Sequence, residues 1–160
     1  GLDHVAGQPI VLTGNRQNGL FARGTSVLTG SDTFVEISDL IARNTYSTDD
    51  DPEECGFDAA TNLSAAAGAD IVVDRFILDA SDLVGVRIDA TGSIIFDEYF
   101  GSTINLSDGV VSNNPIATNI QNADYDLLTL QDNVVYLNNV IDLDSEAIQI
   151  PEPIADLESL

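Results

Sequence analysis

Carboxylates crowd one short stretch of the chain. Between positions 49 and 54 the sequence reads DDDPEE, so acidic side chains follow one another with a single proline among them. Carboxylate oxygens are hard ligands that suit Ca²⁺ better than Zn²⁺, so calcium is the candidate metal. A solvated acidic loop is the alternative, because the spacing matches neither an EF-hand loop nor the glycine-rich nonapeptide of calcium-binding β-rolls. The candidate ligands are Asp49, Asp50, Asp51, Glu53 and Glu54.

Residues suited to acid–base or nucleophilic catalysis are few. The only histidine is His4 and the only cysteine is Cys55, which excludes a Cys/His zinc cluster and an internal disulfide. Arg43 and Arg75 are placed to face a substrate, although an ion pair with a neighbouring carboxylate is the expected role of each. Phosphate-binding loops, nucleophile elbows and dinucleotide fingerprints are absent. We therefore predict no catalytic residue and no enzyme activity, while a carboxylate pair formed between distant parts of the chain stays open.

Acidic residues dominate the charge of the whole chain. There are 27 Asp and Glu against 5 Lys and Arg, and the formal net charge is −22. This balance argues against nucleic acid and anionic membrane surfaces as partners, because both would repel the chain. The acids are interleaved with Val, Ile and Leu, so we expect a folded domain with an acidic surface and not a disordered tail. No run of about 18 apolar residues is present, which predicts no membrane span.

The elements that would position these side chains follow from a repeated apolar pattern. With Leu130 as an anchor, aliphatic residues occupy the anchor, the position two before it and the positions four and five after it. The same four positions are aliphatic around Ile37, Val73, Leu106 and Ile150. The position two after the anchor is polar in every copy. These polar residues are Asp39, Arg75, Asp108, Asp132 and Glu152.

Each copy of the pattern predicts a strand, a bend and a second short strand. One strand cannot bury its apolar face alone, but copies stacked in register place each column against its own kind. The anchors would then form one buried column. Asn44 and Asn113, seven after their anchors, would mark corners, point inward and hydrogen-bond along the stack. A second buried column would contain Ile41, Ile77, Val110, Val134 and Ile154.

Four phrases of the sequence resemble rungs of one known fold. They are VEISDLIARN, INLSDGVVSNN, LTLQDNVVYLNN and, near the start, GNRQNGLFARGT. They are similar to the right-handed parallel β-helix, the pectate-lyase-like solenoid. The resemblance implies an all-β solenoid of about five rungs over roughly residues 10 to 155. An antiparallel β-sandwich or jelly roll also suits many short strands joined by turns, and it is the alternative fold.

The remaining segments are predicted as insertions and ends of a single domain, residues 1–160, or of a fragment of a longer one. Residues 47–56 (STDDDPEECG) read as an acidic loop inserted between two copies. Residues 62–70 suit a short helix or a corner of small residues. The end rungs, near residues 7–16 and 148–155, would carry unpaired strand edges. We expect them to meet more of the same parent chain or a neighbouring copy.

Two functions from different classes remain. The first is a non-catalytic, extracellular or cell-surface β-solenoid with a structural or adhesive role, such as a surface passenger, a stalk or a fibre subunit. The second is a carbohydrate-active enzyme, lyase-like or hydrolase-like, or a fragment of one, and it rests on the resemblance alone. Lyases of this fold need a basic residue beside a uronate, and this chain has no lysine. A polysaccharide ligand stays open for the aromatic candidates Tyr46, Tyr99, Phe100, Tyr125 and Tyr136.

Overall fold

A computed structural model describes most of the chain. The described residues are 8–16, 18–23, 33–46, 60–66, 68–88, 101–121 and 125–144. The predicted acidic insertion at 47–56 and the predicted terminal copy around Ile150 lie outside these ranges.

Ten strands and one 3₁₀ turn make up the regular structure of the described residues. The 3₁₀ turn spans Leu127–Leu130. The strands are β1 (Ile10–Thr13), β2 (Asn18–Arg23), β3 (Thr33–Arg43), β4 (Thr61–Ala66), β5 (Ala69–Asp79), β6 (Val84–Ile88), β7 (Thr103–Ser112), β8 (Ile116–Ile120), β9 (Asp132–Leu137) and β10 (Ile141–Asp144).

Consecutive strands alternate between two sheets. The first sheet has the order β1-β3-β5-β7-β9, and the second has the order β10-β8-β6-β4-β2. Every paired neighbour is parallel. Each odd strand and the even strand that follows it therefore form one layer of the stack, here called a rung. The all-β prediction is confirmed, the antiparallel sandwich is wrong for these strands, and the arrangement is compatible with a parallel β-helix.

The register of the first sheet confirms the repeat for three copies. Ile37 pairs with Val73, and Val73 pairs with Leu106, as the anchors predict. The fourth copy was predicted one residue out of register. Val110 lies beside Val135 and not beside Val134, because Leu130 ends the 3₁₀ turn instead of entering a strand.

The predicted second buried column is also wrong. Ile77 is 43% exposed, whereas its neighbours Phe76 and Leu78 are buried. The cause is Arg75, which has a positive φ of 55° inside β5. A left-handed residue between two extended segments shifts the alternation of side chains by one position, much as a β-bulge does. Equivalent residues shift the neighbouring strands: Asp39, Asp108 and Asn133 have φ of 62°, 53° and 54°.

The core lies between the two sheets and is aliphatic. Val73, Leu78, Val86 and Ile104 are fully buried within it. The middle strands of the second sheet, β4, β6 and β8, differ from the first sheet because consecutive residues along them are buried, as in β4, where five successive residues are buried. These three strands therefore bury side chains on both faces. Residues 62–66, predicted as a helix or a corner, belong to this sheet.

One glycine makes room for the largest core residue. Gly109 lies beside Phe76 in the register, and a Cβ on it would overlap the Phe76 ring. The aromatic ring thus fills the space that a side chain at 109 would need. This packing couples β5 to β7 just past the bend in each strand.

Two adjacent residues of β5 offer a direct test of the shifted alternation. Leu78→Ala removes a fully buried side chain and should lower the free energy of unfolding by about 2–5 kcal/mol. Ile77→Ala, the matched control, removes an exposed side chain and should cost less than about 1 kcal/mol. Urea unfolding followed by circular dichroism measures both. Equal losses would contradict the register described for this strand.

Candidate functional site

The predicted metal ligands cannot be placed. Asp49, Asp50, Asp51, Glu53 and Glu54 lie outside the described residues, as do His4 and Cys55. Within the described ranges no group of three or more His, Cys, Asp or Glu side chains is arranged to hold a metal ion. Calcium binding at residues 49–54 therefore stays a prediction.

The corner after each strand of the first sheet adopts the left-handed conformation. Asn44, Asn113 and Asn138 have φ of 54°, 55° and 56° there, Ala80 has 52°, and Gly14 has 63°. Asparagine tolerates this region better than most residues, which explains its recurrence. At the first four corners the N–H donates to the carbonyl of the last residue of the strand on the next rung, as Asn44 N does to Asp79 O at 3.2 Å. The predicted corner position of asparagine is confirmed, but the predicted inward direction is wrong, because the side chains of Asn44, Asn113 and Asn138 are exposed.

A buried polar ladder begins one residue beyond the corners. Asn114 is only 1% exposed, and its Oδ1 accepts from Ser81 Oγ at 2.8 Å and from Ser81 N at 3.0 Å. Its Nδ2 donates to Asn139 Oδ1 at 3.2 Å. Asn62 Nδ2 reaches Asn114 Oδ1 at 3.4 Å, and Thr45 Oγ1 donates to Asn62 Oδ1 at 2.7 Å. The ladder links four successive rungs inside the stack.

A missing side chain in the second sheet creates the space for this ladder. Gly85 stands in β6, and a Cβ on it would lie 2.9 Å from Asn114 Nδ2 and 2.8 Å from Val111 Cγ1. Any larger residue would push against both groups. Gly85 therefore keeps the amide of Asn114 inside the stack, where it satisfies backbone and hydroxyl groups that would otherwise be buried without partners.

The first bend carries a second, exposed ladder of charged and polar side chains. Arg75 Nε donates to Asp39 Oδ1 at 2.7 Å on the neighbouring rung, and its guanidinium also contacts Asp74. The hydrogen bond and charge of Asp39 raise the pKa of Arg75 above its usual value. Asn133 donates to Asp108 on the last two rungs. The expected ion-pair role of Arg75 is confirmed, and the group is a surface contact exposed to water.

A small cavity lies between the 3₁₀ turn and the last two rungs. It has a volume of about 160 Å³ and is lined mainly by Leu127, Leu130, Leu143 and Tyr136. Thr118 also lines the cavity, and its hydroxyl is buried without a hydrogen bond of normal geometry. The same hydroxyl lies close enough to Tyr136 to lower the pKa of that tyrosine slightly, against the larger effect of burial. The cavity is apolar, with few groups that could orient a ligand.

Two of the predicted aromatic residues pack against the core. Burial raises the pKa of Tyr125, whose hydroxyl donates to Ile104 O at 2.7 Å. Burial likewise raises the pKa of Tyr136, whose hydroxyl donates to Leu130 O at 2.9 Å. Tyr46 is 43% exposed. Tyr99 and Phe100 lie outside the described residues.

Comparison with protein-family models finds no match, and neither curated proteins nor solved structures yield one. Among the described residues no helix is long and apolar enough to cross a membrane.

The sequence indicated part of the asparagine arrangement at the corners and in the buried ladder. Asn113, Asn114, Asn138 and Asn139 stand as two pairs after two strands, and the corner role follows from that position. The sequence predicted an inward asparagine at the corner itself, whereas the inward side chain belongs to the next residue, Asn114 or Asn139. Asn62, the partner of Asn114, lies in the other sheet, so nothing in the linear pattern connects the two residues.

Replacing one amide of the buried ladder should be costly. Asn114→Ala leaves the Ser81 N–H without its acceptor and should lower the free energy of unfolding by about 2–4 kcal/mol. Asn113→Gly is the matched control: it suits the positive φ and removes an exposed contact with Asp79, so the change should stay below about 1 kcal/mol. Urea unfolding compares the two. Similar costs would show that the ladder does not stabilise the stack.

The buried tyrosines predict a pH dependence in alkaline solution. Burial raises the folded-state pKa of Tyr125 and of Tyr136 above the ordinary value for tyrosine, so the folded protein holds these protons more tightly than the unfolded chain. Their stabilising contribution is complete below the unfolded pKa and is lost as pH rises through the folded values. Phenolate absorbance should show two tyrosines titrating late. Tyr136→Phe should remove one of them, and titration of all tyrosines at or below the usual pKa would contradict the assignment.

Proposed function

We propose that this chain is a segment of a right-handed parallel β-helix with a non-catalytic, structural or adhesive role outside the cell. A surface passenger, a stalk or a fibre subunit is the kind of protein we infer. The observation that carries the proposal is the hydrogen-bonded ladder through Thr45, Asn62, Ser81, Asn114 and Asn139. It ties successive rungs together along the stacking axis, which is the direction that a stalk must keep rigid.

The architecture supports this role in a second way. In a stacked parallel sheet each rung contacts mainly its neighbours, so length is gained by adding rungs without changing the cross-section. The corner hydrogen bonds, the buried ladder and the Arg75 ladder all repeat along the same axis. We infer that the described rungs form one part of an elongated body.

The proposed partner is more of the same structure. β9 and β10 are the last strands of the two sheets among the described residues. Their outward edges can pair with another strand, and their exposed apolar side chains include Leu137 at 50%, Ile141 at 46% and Leu143 at 47%. We propose that this end meets a further rung from the parent chain or from a second copy, head to tail.

Self-association through this end can be tested with matched charge substitutions. Leu143→Asp places a carboxylate on the edge strand β10 and should abolish assemblies larger than a monomer. Phe34→Asp adds the same charge at a residue that is 62% exposed within the interior strand β3, and it should leave assembly unchanged. Analytical ultracentrifugation and electron microscopy provide the measurement. A monodisperse monomer at all concentrations would overturn self-association, and turnover of an acidic polysaccharide would overturn the non-catalytic role.

A further inference from the structure

The outer face of the first sheet carries a continuous aliphatic column. It comprises one residue from each of the five strands, aligned by the parallel register. Three members are well exposed: Val11 at 49%, Ile77 at 43% and Val135 at 52%. The other two, Ile41 and Val110, are half-buried. With neighbouring strands about 4.8 Å apart, the column is ~19 Å long and runs along the stacking axis.

The columns beside it on the same face are mixed and mainly polar. One border runs along the bend. It contains Asp39, Asp74, Asp108 and Asp132, with Arg75 as the one cation among them. On the other side the register aligns one carboxylate, Asp79, with Thr13, Arg43, Ser112 and Leu137. The aliphatic column is thus bordered by a run of carboxylates along the bend, whereas its other border is mixed and has no net charge. The contrast with these mixed columns sets the five aliphatic residues apart.

A shallow groove joins the two features. It has a volume of about 280 Å³, and its lining includes Ile41 and Ile77 on the apolar side and Asp39, Arg75 and Asp108 on the charged side. Arg75 is already engaged by Asp39 and Asp74. The carboxylates around the groove outnumber its single cation, so the net charge there is negative. An occupant needs apolar groups on one side and positive charge on the other.

We propose that this face binds a basic amphipathic helix of another protein. The helix would lay an aliphatic stripe along the column and direct Lys or Arg side chains at the carboxylates beside the bend. A helix presents about one stripe residue per turn, so consecutive stripe residues lie about 5.4 Å apart along its axis. This distance is close to the spacing of about 4.8 Å between neighbouring strands. An extended segment presents same-side residues about 6.8 Å apart and matches the column less well. This inference is independent of the structural role proposed above.

Charge selects this occupant over the alternatives. A second copy would present its own acidic face, since the chain has 27 acidic residues, only 5 basic ones and no lysine. An acidic polysaccharide would be repelled for the same reason. A basic helix gains both from burying the aliphatic column and from neutralising the carboxylates.

Two synthetic helical peptides serve as probes. Both carry the same leucine stripe, one flanked by lysine and the other by glutamate. The lysine peptide should bind the full chain and the glutamate peptide should not, as measured by fluorescence anisotropy at physiological ionic strength. Because the whole chain is acidic, general electrostatic attraction would also favour the lysine peptide. Variants of the chain must therefore distinguish binding at the aliphatic column from this general attraction.

Uncharged substitutions locate the binding face. Ile77→Ser should weaken binding of the lysine peptide about tenfold or more. Val140→Ser is the matched control, because Val140 is 84% exposed and lies outside the column; it should leave binding unchanged. Asp108→Asn should weaken binding and reduce its salt dependence. Circular dichroism verifies that each variant is folded.

Three results would overturn the inference. Equal effects of Ile77→Ser and Val140→Ser would reduce the binding to non-specific attraction. Equal binding of the lysine and glutamate peptides would remove the role of the carboxylates. A concentration-dependent dimer that Ile77→Ser abolishes, while the Leu143→Asp variant retains it, would assign the face to a second copy instead.

Discussion

A left-handed backbone residue at the same place in successive rungs is the constraint on which the rest depends. At the first bend this residue is Asp39, Arg75, Asp108 or Asn133, and a second one follows at each corner. Such a conformation costs most non-glycine residues about 1 kcal/mol or more, so its recurrence needs compensation. The compensation comes from neighbours on the next rung, where Arg75 meets Asp39 and Asn133 meets Asp108. Parallel stacking brings equivalent bends together, so each bend supports the next.

The buried amides fix which register the stack adopts. Aliphatic columns alone would tolerate a slip of two residues, because the same face stays buried and Val, Ile and Leu pack against one another in several alignments. Such a slip would separate Asn114 from Ser81 and leave buried donors and acceptors unpaired. Gly85 adds a steric condition, since the amide fits only where the facing residue lacks a side chain. Apolar burial therefore drives the stacking, and the polar ladder selects its register.

The sequence predicted the first sheet better than the second. The columns through Ile37, Val73 and Leu106 follow from apolar spacing alone. The shift after the bend could not be predicted, because it depends on the backbone conformation of residues such as Arg75, whose type does not favour positive φ. The second sheet was not predicted, because its strands bury polar residues such as Asn62, Ser64 and Asn119. These residues interrupt the regular spacing of apolar positions from which a strand is predicted. The register error near Leu130 arose because a 3₁₀ turn occupies the place of a strand.

The same shift that moved Leu40 and Phe76 into the core moved Ile41 and Ile77 to the surface. Strand propensity by itself favours β-branched residues, but it would act equally on every outward position of the sheet. The outward positions before the bend instead hold Glu36, Ser38 and Asn105 beside only a few apolar residues. Aliphatic side chains at all five aligned positions after the bend therefore stand out from the rest of the outer face. They already bury part of their surface against one another along the stack, and the partner proposed above would bury the rest.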